Sequence, residues 1–309
     1  MSDEKNNQVK RVPMLYCAKA LVRDDVEILV GRSPSTGEWY SASALWDLTK
    51  TTDYLANRHE LSTKFHQLNA SHRLPPPLTI EPRSYLAPVD ADRKIFAVGV
   101  NYHSHVKELG VAPPQQPFFF IKPTNTLNGP FGEVVAETAT ASRLDYEVEL
   151  AVVLAQDVKN LSPAEALAAV GGLMVANDVS AREWYVESGF LQWVRMKGQD
   201  GFCPIGPWIT PVEEVSLSRG LGIRCSVNGE VRQSSSTDQL IFDVGEVVSF
   251  VSMGVSLGVG DVILTGTPAG VAMCMDGQPW LQQGDEVVCE IDGLGALANT
   301  VSVASSKAS

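Results

Sequence analysis

At 309 residues, 44% hydrophobic and 19% charged, the chain has the length and composition of one large globular domain, or of a large one and a small one. Its 24 basic and 36 acidic residues leave a net charge of −12, which excludes a nucleic-acid partner because no basic excess is present to neutralise phosphates. No apolar run reaches the ~18 residues of a membrane-spanning helix, so no membrane partner is expected. The polar N-terminus has no apolar secretory core either, which makes the cytoplasm the expected location.

Residues 1–12 read as a disordered tail and 13–85 as a small β-rich N-terminal domain. Within the latter, Leu15 to Val22 and Val26 to Val30 predict two strands turning at Arg23-Asp24-Asp25. Residues 44–68 predict a helix of weak amphipathic spacing. His72-Arg-Leu-Pro-Pro-Pro77 cannot extend a helix and reads as a rigid linker. A boundary near residue 85 opens a second domain, 86–309.

That domain starts with a short buried strand, Ile95 to Val100, which Asn101 ends and can cap. His105 and Glu108 are three apart, which on a helical turn gives one face. The pair reads either as a surface contact or as a general base, because a carboxylate beside imidazole fixes its tautomer and raises its basicity. Pro117 to Pro123 predicts an apolar strand, with Lys122 read as snorkelling rather than reaching a ligand.

The stretch Arg143-Leu-Asp-Tyr-Glu-Val-Glu-Leu-Ala-Val-Val-Leu154 organises the rest. Alternation predicts a strand with Glu147 and Glu149 side by side on one face. Like charges so placed repel unless a cation lies between them; a solvated strand face is the other reading. All five histidines lie at or before His105, so a metal in the C-terminal half must be held by oxygen, and the five scattered cysteines show no zinc-like spacing.

Leu161 to Val170 predicts a helix with Ser162 as N-cap and Pro163 at its first position, stopped by Gly171-Gly172. Leu173 to Ala176 predicts a buried strand with Asp178 at its end. Asp178 then reads either as the cap of a helix running to Glu187 or as a third oxygen ligand. Arg182, four residues on, is placed to neutralise Asp178 or to grip a substrate carboxylate. Residues 195–208 are too apolar for a solvated loop, and Lys197 is their functional candidate, a cation suited to an enolate or carboxylate oxygen. Asn228-Gly229 predicts a hairpin turn. Phe242 to Val251 predicts a helix, and Thr267 offers a hydroxyl in a glycine-rich turn.

The ordered blocks Gly-Val-Asn-Tyr-x-x-His-x-x-Glu (99–108), Asp-Tyr-Glu-Val-Glu-Leu (145–150), Asn-Asp-Val-Ser-Ala-Arg (177–182), Lys-x-x-Asp-x-Phe-x-Pro-x-Gly-Pro (197–207), Val-Asn-Gly-Glu (227–230) and Thr-Gly-Thr-Pro-Ala-Gly-Val (265–271) resemble the fumarylacetoacetate hydrolase family over roughly 94–303. Val259 and Gln199 depart from the pattern, where proline and an aromatic are common. The resemblance implies an α+β, mostly β fold: a mixed β-roll catalytic domain with flanking helices, preceded here by the small N-terminal domain and assembled as a homodimer. It implies a Mg²⁺ (or Mn²⁺) site at Glu147, Glu149 and Asp178, a base dyad of His105 and Glu108, an enolate-steadying Lys197, and substrate contacts from Arg182 and Thr267. The expected partner is a small anionic oxo acid. The expected reaction is hydrolysis of a C–C bond in an acylpyruvate-type 1,3-dicarbonyl acid. The alternatives are decarboxylation of an oxo diacid such as oxaloacetate, isomerisation of a 2-hydroxyhepta-2,4-diene-1,7-dioate, or a catalytically silent ligand-binding member. Phe119, Tyr185 and Trp193 are the residues expected at the far end of the pocket.

Overall fold

The computed structural model describes residues 12–137, 139–186 and 192–304. The expected disordered tail, save its last residue, and Glu187 lie outside them. Strand outweighs helix, as the mostly β expectation requires.

Two sheets carry the fold. The eleven-stranded sheet runs, edge to edge, through Tyr40–Ser41, Asp25–Gly31, Tyr16–Val22, Cys203–Pro211, Val170–Asn177, Val148–Leu154, Val262–Leu264, Ile95–Gly99 and Phe118–Lys122, with two short strands off this path. The five-stranded sheet orders Glu230–Ser236, Gly222–Val227, Glu286–Ile291, Gly295–Ala304 and Val134–Glu137. The strand Val148–Leu154 is an interior strand of the larger sheet, between Val170–Asn177 and Val262–Leu264, and is buried along its whole length. Its period of two sorts its side chains cleanly. Val148, Leu150, Val152 and Leu154 join the core shared with the five-stranded sheet and the helix Val244–Ser252. Ala151 and Val153 face the other core, under the helix Thr51–Ala70, and Glu149 belongs to that same alternate set.

The N-terminal strands extend the large sheet, crossing the boundary expected near residue 85. Tyr16–Val22 pairs with Cys203–Pro211 through Cys17 and Ile209. The helix expected over 44–68 is two helices, Ala42–Trp46 and Thr51–Ala70, broken where Asp47 takes a left-handed φ of 60°. The weak amphipathic signal of the second has a physical cause. Its inward residues fall at good helical spacing but include Thr51, Arg58 and Ser62 beside Tyr54, Leu55, Leu61 and Phe65. Arg58 pairs through Nη2 with Glu213 at 3.2 Å, and Ser62 accepts a bond from the Leu15 amide at 3.1 Å.

Gly171 and Gly172 lie inside the strand Val170–Asn177 rather than stopping the preceding helix, which ends at Ala169. A Cβ on Gly171 would sit 2.7 Å from that of Ala155 and 3.1 Å from Leu55 Cδ2, so these packed side chains leave no room for another. Ser162 caps the helix Pro163–Ala169 in a capping box with Glu165, as the sequence predicts.

Asn101 does not cap the helix His103–Leu109, whose N-cap is Tyr102. Its fully buried amide instead donates to the carbonyls of Thr265 (2.8 Å) and Phe242 (3.0 Å) and accepts from the Phe242 amide (2.8 Å). These bonds hold the turn in which Val100 adopts φ 57°, a conformation a β-branched residue keeps only where its surroundings enforce it. Asn101→Ala orphans these backbone groups and lowers unfolding free energy by about 3 kcal/mol, read from urea denaturation.

Candidate active site

Strand register brings the carboxylates together. Val148 pairs with Asn177, so Asp178, one residue past the strand, lies across from Glu147, and its amide donates to the Glu147 carbonyl at 2.9 Å. The Asn177 side chain accepts from the Glu147 amide at 3.0 Å. Carboxylate oxygens of Glu147, Glu149 and Asp178 lie within 4.8 Å of one another, and all three residues are buried. Asp178 does not cap a helix. The chain continues as the short strand Ser180–Ala181 before the helix Glu183–Val186.

Three buried cations face this cluster. Lys197, ending the helix Trp193–Lys197, places Nζ 2.7 Å from Glu147 Oε2 and 2.7 Å from Asp178 Oδ2. Lys122 donates to Asp178 Oδ1 at 2.6 Å and to the Lys197 carbonyl at 2.5 Å. It is 1% exposed, so it is part of the site and not a snorkelling surface residue. Arg182 pairs with Asp145 through Nε at 2.9 Å and with Glu147 through Nη2, and does not neutralise Asp178 as its spacing suggested.

The charges sort unevenly. Burial pushes the Glu147 carboxyl up, but Lys197 and Arg182 more than offset this and hold its pKa at about 2. Glu149 has no such partner. Burial, then the negative charges of Asp178 and Glu147, push it well above the usual carboxylate range, and among the described residues its one bond is from the Gly266 amide at 2.6 Å. Burial lowers the Lys197 ammonium pKa, yet Asp178 and Glu147 overcome it and keep it charged. Four carboxylates (Asp145, Glu147, Glu149 and Asp178) thus meet three cations, and among the described residues Glu149 is the one of the four with no ion pair. Three hard oxygen donors in a small buried space, one lacking a counter-charge, fit a divalent cation. With two added charges the cluster becomes net positive, suited to an anionic ligand.

Opposite stands the helix His103–Leu109. His105 is 6% exposed, and its Nδ1 lies 2.9 Å from Glu108 Oε2. The second Glu108 oxygen accepts from the Gly270 amide at 2.8 Å, which fixes the dyad to the glycine-rich turn. With Glu108 accepting from Nδ1–H, the other imidazole nitrogen keeps a free lone pair. His103 points to solvent.

A cavity of about 200 Å³ joins the two halves and is lined by His105, Glu147, Glu149, Asp178, Arg182 and Lys197, among others. Tyr185 and Trp193 line it as expected, but Phe119 does not. Phe119 packs on Phe96 and Phe250, and its strand neighbour Phe120 faces the cavity, stacked on Trp193 at 5.3 Å. Thr267 lines the cavity too, with its hydroxyl proton already given to the Val148 carbonyl at 2.9 Å.

Sequence reasoning missed Lys122, Asp145 and Gln233 as parts of this site. A signal existed for two of them. Asp145 shares the period of two with Glu147 and Glu149, and Lys122 shares a strand face with Phe120.

Residues 94–302 match the family model described as fumarylacetoacetate (FAA) hydrolase C-terminal. The human mitochondrial oxaloacetate tautomerase FAHD2A is 42% identical over 227 residues, 72% of each chain. Among solved structures, a fumarylacetoacetate hydrolase from Exiguobacterium antarcticum superposes with TM-score 0.80 at 31% identity, covering 94% of this chain and 100% of the other. A maleylpyruvate hydrolase from Sphingobium, in complex with manganese(II) and pyruvate, gives TM-score 0.74 at 26% identity, covering 94% and 99%. The mitochondrial relative overturns the cytoplasmic expectation. That expectation rested on the lack of a secretory core, which carries no information about a mitochondrial address.

Replacing Glu149 tests the charge assignment. A carboxyl whose pKa is raised on folding costs stability as pH rises past its unfolded value, so at neutral pH the ion-free fold is penalised. Glu149→Gln raises the melting temperature without divalent ion and removes the further rise that Mn²⁺ gives the wild type, read by calorimetric scans with and without Mn²⁺.

Proposed function

We propose, from the premise that the chain belongs to the fumarylacetoacetate hydrolase family, that it is a Mg²⁺- or Mn²⁺-dependent enzyme acting on a small 2-oxo acid, and that its reaction is the keto–enol interconversion of oxaloacetate. The observation that carries this is the oriented His105–Glu108 pair sharing one small cavity with three carboxylates and Lys197. Tautomerisation needs one group to move a proton at carbon and positive charge to steady the enolate oxygen, and the site holds both. The 42% identity to an oxaloacetate tautomerase supports the substrate.

In this reading Glu147, Glu149 and Asp178 would hold the divalent ion, which would supply Lewis acidity toward the 2-oxo group. Lys197 and Arg182 orient the anionic ends of the substrate. His105 takes the proton from the carbon between the two carbonyl carbons, while Glu108 stabilises the imidazolium that forms. The same imidazolium returns the proton to the oxygen to give the enol, and the reverse order gives the ketone. Leu109, Val111, Phe120 and Trp193 wall the cavity and keep bulk water from the enolate. The reading carries with it the homodimer that the resemblance implies.

A second reading is hydrolysis of an acylpyruvate, with His105 deprotonating water for attack on the distal carbonyl. The likeness to a maleylpyruvate hydrolase holding pyruvate favours it.

The two separate in one experiment. Purified protein with Mn²⁺ is given enol oxaloacetate and, separately, acetylpyruvate, and the loss of enol or diketo absorbance is followed. Accelerated oxaloacetate equilibration with intact acetylpyruvate supports the first reading; cleavage of acetylpyruvate without the former replaces it with the second. His105→Ala lowers the rate by about 10²–10⁴-fold while leaving Mn²⁺ affinity unchanged.

A further inference from the structure

Gln233 belongs to the strand Glu230–Ser236 of the five-stranded sheet, is fully buried, and is not among the residues lining the cavity. Its carboxamide is nonetheless fully engaged at the site. Oε1 accepts from the Val148 amide at 2.9 Å, and Nε2 donates to Thr267 Oγ1 and to the Pro268 carbonyl, each at 2.8 Å. Both donors and the carbonyl of the amide are therefore used.

The need for these bonds follows from the sheet. The strand Val262–Leu264 covers one side of Val148–Leu154 only from Ala151 onward. The Thr265 amide reaches the Leu150 carbonyl at 3.0 Å, and the chain then turns away at Gly266, φ 105°. Val148 is left without a strand partner on that side. Gln233 takes its amide, and Thr267 takes its carbonyl at 2.9 Å. Val148 lies between Glu147 and Glu149, so holding its peptide sets where both carboxylates leave the backbone. The other end of the amide grips the turn whose Ala269 and Gly270 amides bond Ser104 (3.3 Å) and Glu108 (2.8 Å) of the His105 helix.

We propose that Gln233 is a positioning residue that sets the ion-holding strand and the base-bearing helix in register with each other, acting from the second sheet without touching substrate. This rests on the reading of Glu147, Glu149 and Asp178 as a divalent-ion site. Outer partners of ion ligands typically change affinity by about 10–100-fold when removed.

The test compares Gln233→Met with Asn299→Ala. Asn299 is a buried amide of the same sheet that bonds the Gly129 (3.2 Å) and Gly132 (2.8 Å) carbonyls, away from the site. Melting temperature and Mn²⁺ affinity by titration calorimetry are measured for each. The expected result is a lowered melting temperature in both variants, with Mn²⁺ affinity about 10–100-fold weaker in Gln233→Met alone. Wild-type Mn²⁺ affinity in folded Gln233→Met makes Gln233 a plain structural pillar and overturns the proposal. Should Gln233→Met not fold, Gln233→Asn keeps the amide but withdraws it by one methylene. Mn²⁺ affinity at least about fivefold weaker then supports the proposal, and unchanged affinity overturns it. Absence of Mn²⁺ binding in the wild type overturns the site reading, and this inference with it.

Discussion

Three carboxylates with oxygens within 4.8 Å of one another, inside a protein, repel each other strongly and are costly to remove from water. The local structure is arranged around that repulsion. Glu147 is quieted by Lys197 and Arg182, and Asp178 by Lys197 and Lys122. Among the described residues, Glu149 is left to a single backbone donor. The imbalance is local, and it lies at the wall of the cavity that His105 shares.

Each counter-charge arrives from a different element. Lys122 comes from the last strand of the large sheet, Arg182 from the bend after Ser180–Ala181, and Lys197 from the end of a short helix. None is a sequence neighbour of the carboxylate it serves, so the cluster forms only when the sheet is complete. Lys122 also bonds the Lys197 carbonyl, which joins two of the three cations mechanically. A change at one is felt at the other, and effects of substituting them together are expected to be non-additive.

Much of this was legible in the sequence because strand periodicity is rigid. Alternation put Glu147 and Glu149 on one face, and the strand ending at Asn177 put Asp178 at the same end of the sheet. Spacing of three gave the His105–Glu108 contact. What escaped was set by packing between elements. Arg182 chose Asp145 and Glu147 over Asp178 because the chain after Asp178 is extended, which breaks the helical spacing that linked them. Lys122 looked like a surface lysine because only the folded sheet buries it against Asp178. The Thr51–Ala70 helix hid its inward face because two of the polar side chains there, Ser62 and Arg58, bond residues far away in the chain, Leu15 and Glu213. Asn101 looked like a cap, and its role as a tether depends on Phe242 and Thr265, more than a hundred residues downstream.

The joining of Tyr16–Val22 to Cys203–Pro211 has a bearing on how this chain can be divided. The family-matched segment begins at residue 94, so a fragment trimmed to it would uncover one side of Cys203–Pro211 and strip the Thr51–Ala70 helix from Ala151, Val153 and Ala155. An unpaired apolar strand border is a template for association with other copies. Residues 12–93 therefore act as a fixed cover over the back of the strand that bears Glu149, and shortened versions made for handling would trade solubility for size.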